Sequence, residues 1–164
     1  MDSTLMIIRT ILTAAAAILA FWGKRWAYVA FIVLALLYFP MSVGFQLDPQ
    51  PCEWTFGADL AVFSLTNYAH IVLFALFFIM TSRQFPMTTW RHYGWAALLT
   101  LGVGLLLEFA EGISGKGHCR IRDLIPDGAG ALIGSGVVFF SIQLWKRLRE
   151  QPTGASPDDV GVLK

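Results

Sequence analysis

Charge is what this sequence has least of. Asp, Glu, Lys and Arg make up 14% of its 164 residues, where a soluble domain carries about 25%. With 56% of the residues hydrophobic, a single soluble core of this length cannot hide so much apolar surface, which excludes an ordinary cytosolic enzyme. Neither sign of charge dominates: 12 Lys and Arg against 11 Asp and Glu leave a net charge of +1, so there is no basic field for nucleic acid. Two cysteines are too few for a disulfide framework or a thiolate zinc site. Also missing are Gly-x-Ser-x-Gly, His-Glu-x-x-His and Walker A patterns, and no internal repeat is visible.

What is present is a series of apolar runs. A spanning helix needs about 20 mostly apolar residues, and mean hydropathy is +0.62. The expected fold is therefore all-α, a polytopic membrane bundle of about five transmembrane helices. Spans are expected near residues 5–22 and 26–45, forming a hairpin around Gly23, Lys24 and Arg25. A third starts between Leu60 and Tyr68 and ends near Met80, and two more run near 93–107 and 128–145. The organisation follows: an N-terminal hairpin (1–45), a helical membrane domain (46–145) and a polar cytoplasmic tail (146–164). The first run also admits reading as a cleaved signal sequence, although Asp2 beside Arg9 makes a poor basic n-region.

Orientation follows from the basic residues, which concentrate in cytoplasmic loops. Lys24, Arg25, Arg83, Arg91, Lys146, Arg147 and Arg149 follow the odd-numbered spans, against Lys116, Arg120 and Arg122 after the even-numbered ones. This predicts a multi-pass protein of the cytoplasmic membrane with its N-terminus outside, its C-terminus inside, and the loops 46–59 and 108–127 on the outer face. Cys52 and Cys119 fall in these two loops, where an oxidising compartment permits a disulfide between them. The Trp residues at the predicted span ends read as interfacial anchors.

Ionisable residues at membrane depth are costly, so each marks a candidate site. His70 lies in the outer half of the third span, Glu108 and Glu111 at the outer end of the fourth, and Asp123 and Asp127 at the start of the fifth. Glu108 and Glu111 share a helix face at i, i+3 if the helix continues through both. An acid at a helix N-terminus is favoured by the dipole. His70 and Glu108 each have apolar neighbours and need a partner, and a His–Glu contact would supply one. Gly130 and Gly134 form a small-xxx-small pair suited to close helix packing, which would hold Asp127 near the carboxylates. Arg120 and Arg122 could hold an anionic group, and His118 could join the acidic site. The bland alternative is that the acids cap helix ends and pair with the arginines, sealing a loop.

The stretch from Asn67 to Gly136 resembles the VanZ-like membrane family, named after a teicoplanin-resistance protein. It shows a spanning-helix His (His70 in Asn-Tyr-Ala-His), then Glu108-x-x-Glu111 closing an apolar helix, then Asp123-x-x-x-Asp127-x-x-Gly130-x-x-x-Gly134. Glu111 and Asp127 stand where the family has Gln and Asn, two amide-to-acid changes that make this site more negative and better suited to a cation or a neighbouring Arg, while Asn67 stands where the family has Asp. The resemblance implies a small polytopic protein of the cell envelope and supplies no reaction.

Three functions compete. The first is an envelope protein that engages a lipid-linked or glycopeptide-like molecule at the outer leaflet, in antibiotic resistance or an envelope polysaccharide role, with Arg120 and Arg122 holding an anionic group. The second is an enzyme on a lipid-linked envelope precursor, using His70 and Glu108 as an acid–base pair or as ligands of a divalent metal together with Asp127. The third is a structural subunit of a membrane complex, using the glycine face of the last span.

Overall fold

The computed structural model describes residues 3–44, 48–55, 57–115 and 119–150. His118 and the tail beyond 150 lie outside the described residues. Six α-helices account for most of the described chain: α1 (Ser3–Phe21), α2 (Arg25–Ser42), α3 (Ala58–Ser64), α4 (Tyr68–Ser82), α5 (Trp90–Ser114) and α6 (Leu124–Glu150), with one 3-10 turn at Ile121–Asp123 ahead of α6. The all-α expectation holds. The count of five crossings is not reached on length and apolarity. Among the described residues three helices suffice to cross a membrane, Arg25–Ser42, Trp90–Ser114 and Ile121–Glu150, and a fourth crossing results if α3 and α4, bent by 70° at a short break, act as one. The first run is a shorter apolar helix. These apolar helices, with their many exposed Leu, Ile, Val and Phe side chains, mark a membrane protein.

Helix boundaries differ from the expected ones at the polar ends. Glu108 and Glu111 do not open a loop: α5 continues through both to Ser114 and stops at Gly115, whose φ of +62° is the left-handed cap that suits glycine. A β-carbon there would also meet Asp48. α6 begins before Asp127, because Pro126 sits in the first turn, where its missing N–H is not needed. The 108–127 loop thus shrinks to the few residues between Ser114 and Ile121.

The core is built around α4, whose most extensive neighbour is α6. Gly130 and Gly134 face this helix. A β-carbon at 130 would run into the Ile71 carbonyl, and one at 134 would lie 2.6 Å from the Ala75 carbonyl. Phe78 and Ala131 close one part of the interface. On the opposite side Phe74, Phe77 and Met80 pack with Ala20, Tyr28 and Val103 from α1, α2 and α5. Polar groups fix the far end: Tyr28 Oη and Thr81 Oγ1 are 2.9 Å apart in the interior, and Gln84 Nε2 donates to the Ala20 carbonyl at 2.8 Å, which also accepts the Gly23 N–H where α1 ends.

The polar segment 48–55 lies as a strap over the end where α5 stops and α6 begins. Gln50 N–H donates to the Gly112 carbonyl (2.9 Å), Glu53 N–H to the Cys119 carbonyl (2.8 Å), and Ile121 N–H to the Glu53 carbonyl (3.3 Å). Cys52 and Cys119 are joined by a disulfide. Gly112 leaves the room: a β-carbon there would lie 2.9 Å from that of Cys119.

Candidate functional site

Three helices bring titratable side chains to the strap end of the bundle. His70 lies in the first turn of α4 and Asp127 in the first turn of α6, and because the glycines of α6 draw it against α4, the two side chains meet. His70 Nδ1 and Asp127 Oδ1 are 2.9 Å apart. Asp127 is fully buried, 1% exposed, while the imidazole is 32% exposed. The Asp127 carboxylate also benefits from the positive end of the α6 dipole.

The imidazole is held on a second side. Phe74, one turn further along α4, stacks on it with ring centroids 6.2 Å apart and planes 15° from parallel. α5 contributes Gly104, where a β-carbon would lie 2.8 Å from Asp127 Oδ2 and 2.9 Å from the Phe74 ring. The α5 backbone can therefore close over the pair only because position 104 has no side chain.

Glu108, one turn beyond Gly104, is buried. Its partner is not His70, as the sequence suggests, but the backbone of the following loop: Arg120 N–H donates to Glu108 Oε2 at 2.8 Å. The expected His–Glu contact is replaced by His–Asp, since the glycine face of α6 chooses α4 as its neighbour. Glu111, Asp123 and Asp127 are all within electrostatic reach of Glu108, and Asp123, Glu108 and Asp127 within reach of His70. All five candidate residues thus occupy one region, with the His70–Asp127 pair at its centre.

The arginines turn elsewhere. Arg120 Nε lies 3.6 Å and Arg122 Nη1 3.5 Å from the two carboxylate oxygens of Glu53. Both face the strap, where Glu53 offers a carboxylate to each. Their partnership with an acid from the other loop was not legible in the sequence, because it depends on the strap's course. Gly104 was missed too, although its place one turn before Glu108 puts it on the same helix face.

Among the described residues no group of three His, Cys, Asp or Glu side chains is placed to hold a metal ion. His70, Glu108 and Asp127 therefore do not fit the ligand set considered for a divalent metal, and no chemical step is derived through one. No family model, curated protein or solved structure matches the chain.

What remains is an imidazole with one nitrogen committed. In the tautomer with the proton on Nδ1, Asp127 Oδ1 accepts it at 2.9 Å, and the Nε2 lone pair is left to take a proton from a bound hydroxyl or water. A buried carboxylate in this role orients the ring and stabilises the imidazolium that forms.

Proposed function

We propose that this chain is a VanZ-like integral membrane protein of the cell envelope that acts on a lipid-linked envelope precursor at the outer face, with His70 as general base and acid. The observation that carries this reading is the 2.9 Å contact between partly exposed His70 and buried Asp127. Such a pair is costly to place in a membrane bundle, and residues of this kind there mark candidate sites. In the proposed reaction His70 Nε2 removes a proton from an attacking hydroxyl or water and returns it to the leaving group, while Asp127 keeps the ring in place. Glu108 holds the loop beside the pair through Arg120 N–H.

Several observations support the setting. The order His70, Glu108-x-x-Glu111, Asp123-x-x-x-Asp127 is the pattern on which the family resemblance rests, and its members gather in space. A disulfide between Cys52 and Cys119 fits an oxidising compartment, in keeping with the basic-residue count that puts this end outside and the C-terminus in the cytoplasm. In this arrangement α1 is a fifth crossing, and the α3–α4 pair counts as one.

The rival readings fare less well. A binding protein that grips its ligand through Arg120 and Arg122 needs those side chains free, and both face Glu53. A structural subunit docking through its glycine face needs Gly130 and Gly134 exposed, and both are spent against α4.

The test uses membranes from cells expressing the wild-type chain, His70→Ala or Asp127→Asn, incubated with purified lipid-linked peptidoglycan precursor, with products read by mass spectrometry. Wild-type membranes are expected to convert the precursor, and each variant to lose about 100-fold or more in rate at equal protein levels. Equal conversion by all three would overturn the reading. So would a wild type that binds the precursor unchanged, which would favour a binding role instead.

A further inference from the structure

α1 carries an arginine that the candidate site does not use. Arg9 lies within the apolar helix, two turns from its start, and is only 9% exposed. Its guanidinium sits over the ring of Tyr38 on α2, with Cζ 4.3 Å from the centroid, and Nη1 reaches the Tyr38 carbonyl at 3.4 Å, near the negative end of α2. These contacts hold the cation without neutralising it. Arg9 Nε is buried with no hydrogen-bond partner, and among the described residues no carboxylate pairs with Arg9. A guanidinium at membrane depth with an unmet donor is an unusual expense, and such residues pair with an anion wherever one is at hand.

The space beside it suits a particular anion. A cleft of about 290 Å³ runs along the α1/α2 groove from Arg9 and Tyr38 past Thr13 and Ala14 to Ala17 and Phe31. From position 9 to 17 the groove is about 12 Å long at 1.5 Å per residue. Small side chains on α1 form its floor, and its lining is almost wholly apolar away from Arg9. Ile11, Ile18, Val33 and Leu37 stand exposed on the same two helices, so the cleft lies in an apolar, lipid-facing surface rather than a watery one. Its occupant must therefore offer an anion at one end and a hydrocarbon chain along the rest.

We propose that the α1/α2 groove is a binding site for an anionic phospholipid, its phosphate on Arg9 and an acyl chain along Ala14 and Ala17. The guanidinium fork matches phosphate oxygens, and the phosphate supplies a counter-charge for a cation that no described carboxylate pairs with. The site is separate from the His70–Asp127 pair and does not depend on what that pair does.

The full-length protein in a neutral detergent tests this by native mass spectrometry, with dioleoyl phosphatidylglycerol, dioleoyl phosphatidylcholine and oleate as probes. Phosphatidylglycerol is expected to bind the wild type in preference to phosphatidylcholine. Arg9→Gln is expected to weaken it roughly tenfold or more, the loss of a charge-assisted hydrogen bond. Ala14→Phe, at an exposed position, fills the groove while leaving Arg9 intact and is expected to weaken binding as well, so the test survives if the Arg9 variant folds poorly. Unchanged phosphatidylglycerol binding in Ala14→Phe, equal binding of the two phospholipids, or retention of oleate in place of phosphatidylglycerol would each overturn the proposal.

Discussion

Gly104 on α5 sets the distance at which Asp127 on α6 is covered: a β-carbon at 104 would stand 2.8 Å from Asp127 Oδ2. The same atom would press on the Phe74 ring that stacks on His70. One methyl group therefore touches both supports of the imidazole. Gly104→Ala is expected to displace the His70–Asp127 pair and lower activity, even though alanine favours a helix by up to about 1 kcal/mol over glycine. Gly102→Ala, where a β-carbon meets nothing within 4 Å, is the control and should leave activity unchanged. Equal activity in the two variants would show that the contact is not critical.

The α4/α6 interface predicts a second contrast between glycines. At Gly130 the obstacle to a side chain is the Ile71 carbonyl, which is backbone and cannot swing aside. Gly130→Ala should cost about 1–3 kcal/mol through forced separation of the helices. Gly136 faces open space, so Gly136→Ala should be neutral or slightly stabilising. Thermal unfolding in detergent distinguishes them.

Glu108 separates two roles that its position alone leaves tangled. If its work is to accept the Arg120 N–H, Glu108→Gln retains an acceptor oxygen and should keep most of both stability and activity. Glu108→Ala leaves a donor without a partner and should cost about 1–3 kcal/mol. A Gln variant that is stable but inactive would instead make the carboxylate itself a participant in proton transfer.

The disulfide closes a stretch of 67 residues that includes α3, α4 and α5. Its removal by Cys52→Ser should lower stability by about 2–4 kcal/mol, read as a fall in melting temperature that reductant reproduces in the wild type and does not deepen in the variant. Thiol labelling from the outer side of intact cells, after reduction, checks the assigned orientation; labelling only from the cytoplasmic side would invert it.

Much of this architecture is visible in the apolar runs, and the places where it is not share a cause. The fourth apolar run ends at Leu107, where Glu108 and Glu111 read as loop residues, yet a backbone donor from Arg120 lets the helix carry Glu108 into the interior. The small face of α6 is plain from Gly130 and Gly134, but spacing along one helix does not say which other helix will lie against it. That choice fell on α4, and with it the partner of His70 became Asp127 rather than Glu108. The destination of Arg120 and Arg122 was hidden for a similar reason. Glu53 lies in an irregular strap, whose path is set by Cys52 and by backbone hydrogen bonds rather than by any periodic pattern.

His70 and Asp127 are 57 residues apart, and α5 lies between them in the chain. During synthesis the histidine is therefore made before its carboxylate. For that interval the imidazole has no acid to orient it, and the nascent protein carries an idle ring. Only when the last helix docks on α4 is the pair completed, so the packing of α6 on α4 is also the step that creates the site.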